Sequence, residues 1–204
     1  MGITIHYKGV LKSVDMIDPL WEELVDIAET MEWDYTTLDE DFGQANTAEL
    51  VHDENGAEII GNLPLKGISL SIHKKCENLQ FFFDKNGILR DPVQMAFSQG
   101  HDEAPSFLFV KTQFAPPDVH ITIIKLLKYL SKKYFTGFEV YDEGGYWETE
   151  DENILREKLN FLSKKMNQVV QILNNTGNEL ADADSPESLA DKIEKLLLRK
   201  LNSK

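Results

Sequence analysis

The dipeptide Asn-Gly occurs twice near the middle of the chain, each time between short apolar runs: "LVHDENGAEII" around Asn55-Gly56 and "FFFDKNGILR" around Asn86-Gly87. Asn and Gly adopt the positive φ angles of a type I′ turn more readily than other residues, so each site predicts a tight β-hairpin. Between the two, "GISLSIH" alternates, with Ile68, Leu70 and Ile72 facing inward and Ser69, Ser71 and His73 outward. "KKCEN" then turns that strand back into "LQFFFD". The centre of the chain reads as successive antiparallel strands.

Two longer units flank these hairpins. "ITIHY" alternates as a strand, with Ile3, Ile5 and Tyr7 on one face and Thr4 and His6 on the other. A helix is expected from "DPLWEEL", with Asp18 as N-cap and Pro19 in the first helical position. Its apolar stripe is Leu20, Trp21, Leu24, Ile27, Ala28 and Met31, and "WDYTT" follows as a strand. "RDPVQMAFSQGHDEAPS" reads as a loop with at most one helical turn. The second unit has "SFLFVKTQF" as a strand and "PPDVHITIIKLLKYLSKKYF" as a helix. That helix buries Val119, Ile123, Leu126, Leu127, Leu130 and Tyr134, Gly137 ends it, and "FEVYD" returns as a strand. The expected fold is α+β: a mixed, largely antiparallel sheet with two helices on one face, built from ferredoxin-like βαβ units plus hairpins.

From residue 149 the pattern changes. Leu155, Leu159, Leu162, Met166, Val169 and Leu173 follow a heptad spacing, and "SPESLADKIEKLLLRKL" starts a further helix at Ser185-Pro186. The expected division is an α+β sheet domain at 1–148 and a C-terminal helical hairpin at 149–204. That hairpin either packs on the first domain or makes a homodimer through residues 155–173.

Charge narrows the function. The chain of 204 residues carries −14, and between Lys12 and Lys66 there is no Lys or Arg but fifteen acids. The rest of the chain therefore sums to about +1. Such a surface disfavours phosphate binding and suits a basic protein partner, so nucleic acid is not expected as a ligand. Apolar runs are too short to span a bilayer and "MGITIHYKGVL" lacks a signal-peptide pattern, so no membrane partner and a cytoplasmic location are expected. A lone Cys76 excludes an internal disulfide, although Lys74 and Lys75 beside it would favour a thiolate if it were exposed. No nucleotide-binding loop or nucleophile elbow occurs, the histidines lack metal-ligand spacing, and "DEDFGQANTAE" departs from a calcium loop at its fifth and sixth positions. No cofactor or metal is expected.

One stretch holds most of the remaining chemistry: "YDEGGYWETEDE", Tyr141 to Glu152. Thr149 and Glu152 have capping-box spacing ahead of an apolar-periodic helix, and Gly144-Gly145 supplies a turn. Asp142, Glu143, Tyr146 and Trp147 have no such local explanation and form a candidate binding feature, acids beside aromatics, suited to a cation. His6 and His73 occupy polar strand positions that can share a sheet face, and join them as candidates. Two functions fit. The first is a non-catalytic binding or regulatory protein that meets a basic partner, for example an immunity-like protein. The second is a small hydrolase with its site on the polar sheet face or beside Tyr146-Trp147.

Overall fold

The computed structural model describes residues 3–53, 56–98 and 105–175. Its contacts divide the chain into two compact units, Met1–Leu155 and Arg156–Lys204. Within the first unit the fold is α+β, and every strand pair is antiparallel.

Strand β1 (Thr4–Leu11) is the middle strand of one sheet, between β7 (Leu108–Lys111) and β8 (Phe135–Asp142). Helix α3 (Pro117–Tyr134) connects these two outer strands. This is a split β-α-β unit, as the ferredoxin-like template has it. The first predicted unit is built differently. Helix α1 (Ile17–Thr30) leads from β1 to β2 (Asp34–Asp39), which belongs to a second sheet ordered β2, β5 (Lys66–Ser71), β6 (Leu79–Phe83). The two units, both expected as βαβ units, therefore differ in their strand pairing. A separate hairpin joins β3 (Glu49–Asp53) to β4 (Gly56–Ile60); Asn55 of its turn lies outside the described residues.

Alternation in β1 translates directly into packing. Ile5, Tyr7 and Leu11 are buried while Thr4, His6 and Lys8 are half-exposed. Tyr7 lies between Phe81 and Phe138, and its hydroxyl donates to the Gln80 carbonyl (2.9 Å) and accepts from the Gln80 amide (3.0 Å). A buried hydroxyl needs such partners, and burial raises the Tyr7 pKa far above that of a free phenol. The outward Ser positions of β5 are not uniform, since Ser69 is buried.

Helices α1 and α3 meet at Glu23. Its carboxylate accepts from Lys133 Nζ (2.8 Å) and from the hydroxyls of Tyr129 and Tyr134. Burial opposes ionisation there, but Lys133 and the two tyrosines outweigh it and hold Glu23 below the usual carboxylate range.

Several element boundaries differ from the sequence reading. A 3-10 turn at Val14–Met16, capped by Ser13, runs straight into α1 at Ile17, so Asp18 lies inside the helix and is not its cap. Met31 is exposed just beyond the helix. Residues 92–98 form a two-turn helix, α2 (Pro92–Ser98), whose amides at Val93 and Gln94 donate to Asp91 Oδ1. Helix α3 stops at Tyr134 and β8 starts at once, so Gly137 pairs with Val10 inside a strand. In the turn after β6, Gly87 alone takes positive φ (71°), and Asp84 Oδ1 accepts from the amides of Asn86 (2.8 Å) and Ile88 (3.1 Å). That is a turn closed by an Asp side chain with one left-handed glycine, not a type I′ pair.

Helix α5 (Glu152–Asn175), which lies in the second unit from Arg156 on, runs unbroken through the predicted heptad stretch, with Phe161 and Met166 exposed. The helix expected from Ser185 lies outside the described residues.

Candidate functional site

The stretch 141–152 resolves into structure-making parts. Strand β8 ends at Asp142, which folds back on the turn that follows. Its Oδ1 accepts from the Gly144 amide (2.7 Å), its Oδ2 from the Trp147 amide (2.9 Å), and its carbonyl from the Gly145 amide (3.0 Å). Those bonds fix the start of α4 (Tyr146–Thr149), a single turn that ends where Glu150 takes φ 54°. Helix α5 begins next, with the Asn153 amide donating to Asp151 Oδ1 (2.8 Å). Asp151, not Thr149, is therefore the cap; the Thr149 hydroxyl donates back to the Gly145 carbonyl (2.6 Å).

Behind this turn lies His120, from the first turn of α3. Its Nε2 is 3.1 Å from Asp142 Oδ1, and its Nδ1 is 2.7 Å from Thr112 Oγ1. The first contact is close but poorly directed: Nε2 makes no hydrogen bond of good geometry, so its attraction to the carboxylate is chiefly electrostatic. Burial raises the cost of charge on Asp142, yet His120 and the Trp147 and Gly144 amides prevail and lower its pKa. A Cβ on Gly144 would sit 2.8 Å from the His120 ring and from Leu155, while Gly145 takes φ 77°. The two glycines thus have different tasks, close approach and a left-handed turn.

Thr, His and Asp in contact are the residue types of a nucleophile, base and orienting acid. Here Thr112 and His120 are 1% exposed and Asp142 5%. A nucleophile must present its oxygen to a substrate, and this one is sealed in the core, so the cluster holds the turn against α3. That His120 and Thr112 meet Asp142 is not legible in the sequence, because most of α3 and β8 lies between them. The Asp142-Gly144-Gly145 spacing is the readable half of the motif.

The other candidates are dispersed. Tyr146 is buried, and Trp147 is half-buried with Lys128 Nζ 5.4 Å from its ring. His6 faces outward in β1 between its cross-strand neighbours Phe109 and Tyr141, with ring centroids 6.5 and 5.8 Å away. Its Nε2 stands 4.0 Å from Glu143 Oε1, beyond hydrogen-bond reach, while Glu143 Oε2 accepts from the Thr4 amide (2.9 Å). His73 lies past the end of β5, where its Nδ1 accepts from the Lys75 amide (3.1 Å) and shapes the turn. Among the described residues no group of three His, Cys, Asp or Glu could hold a metal ion. Burial, aided by Glu77, pushes the Cys76 thiol up to about 12, so Lys74 and Lys75 do not make it a thiolate.

The acids of 13–65 behave in the opposite way. Of those described, all but Glu23 and Glu40 are exposed. Only Glu23 (to Lys133) and Asp39 (to Lys66, 2.6 Å) meet a lysine among the described residues. On α1, Asp18, Glu22 and Asp26 stand at successive helical turns beside Trp21 and Val25, around a shallow groove of about 360 Å³. Beyond α1, strand β2 is the outer strand of its sheet and nearly all its residues are exposed. This feature combines unneutralised carboxylates with a half-buried Trp face, the chemistry that receives Lys or Arg side chains. Sequence reading found the charge but not the groove, which the helical spacing of Trp21, Val25 and the three acids does encode.

Comparison with protein-family models, curated proteins and solved structures returns no match.

Proposed function

We propose that the chain is a binding protein that meets a basic protein partner through the surface formed by residues 13–65. The observation that carries this reading is the excess of exposed carboxylates over lysine contacts among the described residues, focused on the Asp18, Glu22, Asp26 and Trp21 groove, where Lys66 acts on Asp18 only at a distance. A cationic side chain placed there would lie on an aromatic face and within reach of several acids. The wider field would speed encounter, with a range of about 8 Å at physiological ionic strength. The hydrolase reading, a histidine and a carboxylate joined on the polar sheet face or beside Tyr146-Trp147, has less support: His6 Nε2 stands 4.0 Å from Glu143, and His73 bonds to the Lys75 amide.

The test is retention of basic proteins on the immobilised chain at low and high ionic strength, repeated with Asp18→Asn, Glu22→Gln and Asp26→Asn combined. A specific basic partner, released by salt and held more weakly by the triple variant, is the expected result. Retention that ignores both salt and the triple variant would sink the proposal, as would recovery of no basic protein at all.

A further inference from the structure

The partner's mode of attachment can be read from β2. Six residues, Asp34–Asp39, pair with β5 in unbroken register. The ladder continues with the Glu40 amide donating to the Leu65 carbonyl (3.1 Å). Bonded and non-bonded pairs alternate in an antiparallel ladder, so Thr36 and Leu38 exchange bonds with β5. Tyr35, Thr37 and Asp39 therefore direct their N–H and C=O groups away from it. Among the described residues, nothing bonds to that edge.

Free edges of this kind are templates for another strand, and proteins usually blunt them with lysine, proline or a bulge. Strand β2 has none of these. Its chemistry is instead one-sided: Asp34 and Asp39 end the strand, and Glu32, Glu40 and Asp41 adjoin it, with Lys66 the one cation opposite. Charge decides the occupant. A second copy of this chain pairing antiparallel through β2, with Thr37 opposite Thr37, would set Asp34 against the other copy's Glu40 at both ends, and like charges directly opposed are destabilising. A strand bearing Lys or Arg would meet carboxylates at both ends.

We propose that β2 receives an extended basic segment of the partner by strand addition, the backbone bonds giving affinity and the acids selecting charge. This rests on the acidic-surface reading and adds a geometry to it.

The probe is a peptide of about eight alternating Lys and Thr residues, a usual strand length, titrated into the full chain. Its control has the same sequence with every backbone amide N-methylated, which keeps the charge and removes strand pairing. The expected result is slowed exchange of the Tyr35, Thr37 and Asp39 amides, with at least about tenfold weaker binding of the control, from loss of several backbone hydrogen bonds. Thr37→Pro should weaken the unmodified peptide comparably, since an outward N–H on an edge strand is where proline is tolerated. If that variant fails to fold, the two-peptide comparison on the natural chain decides. Equal, salt-sensitive binding of both peptides without amide protection would overturn strand addition and leave the acidic-surface reading standing. Binding of neither peptide at low salt would remove both. Concentration-dependent protection of the same amides in the chain alone would assign the edge to a second copy and overturn the proposal.

Discussion

Two segments of this chain are rich in acids, and they spend those acids in opposite ways. In 141–152, Asp142 is buried and caps a helical turn, Glu143 holds the Thr4 amide, Glu150 meets Lys128, and Asp151 caps α5. In 13–65, most acids face water and, among the described residues, only Glu23 and Asp39 bond a lysine. The first segment is the denser, six acids in twelve residues against fifteen in fifty-three, so density does not identify a binding surface. What separates the two is the supply of partners: turn amides and Lys128 absorb most of the first group, while on α1 and β2 a lysine reaches only Glu23 and Asp39 among the described residues.

The contrast is tested hardest by Asp142→Ala. Two amides at the turn lose their acceptor, and the buried His120 loses the carboxylate that stands 3.1 Å from its Nε2. The expected loss is about 3 kcal/mol in the stability measured by urea unfolding. Its pH dependence carries a further signature. The folded pKa of Asp142 lies below its unfolded value. Its contribution is therefore fully present above the unfolded pKa, about 3.9, and is lost as pH falls through the lower folded value. The natural chain should lose this share of stability only below about pH 4, and the variant should lack that step. An unchanged acid limb would show that Asp142 is not the group responsible.

Gly144→Ala comes next. The added methyl meets the His120 ring and Leu155 at 2.8 Å, and the ring is held by Thr112 on its other side. Overpacking of this kind costs about 1–3 kcal/mol, and the upper part of that range is expected because neither neighbour is free to move. Gly145→Ala tests a different property, positive φ, so the two variants separate steric from backbone causes.

How much of this is legible in the sequence depends on whether the cause is local. Alternation in β1 is, because a period of two with Ile5 and Tyr7 inward needs no knowledge of what covers them. The sequence Asp-Pro as a helix start is legible only in part. At Asp91-Pro92 it caps α2, in a segment read as loop, while at Asp18-Pro19 a preceding 3-10 turn already supplies the helix start. Likewise Thr149 has capping-box spacing, but the left-handed Glu150 breaks the helix there and passes the cap to Asp151. Asp142 is the furthest from reach. Half of its role is a local turn, and the other half, His120, arrives by tertiary packing that no spacing announces.

Glu23 lies between the two classes: it belongs to the acidic segment but has partners. Glu23→Gln keeps an acceptor for the two phenols and loses the charge opposite Lys133. The site is partly open to water, so the expected loss is about 1 kcal/mol or less at neutral pH. Its folded pKa is lowered. The stabilisation is present above the unfolded value and fades as pH falls through the folded one, so the difference between variant and natural chain should shrink in acid.

The smallest effect, and the one with the opposite sign, is expected at Glu22. It stands one helical turn from both Asp18 and Asp26 on an exposed face. Like charges at that spacing repel by roughly 0.2–0.5 kcal/mol per pair. Glu22→Gln should therefore raise stability by about half a kcal/mol at low salt, and the gain should vanish as salt screens the row. If Glu22→Gln destabilised the fold on the scale of Asp142→Ala, the carboxylate would have a structural partner after all. The division between absorbed and unspent acids would then fail at its most exposed point.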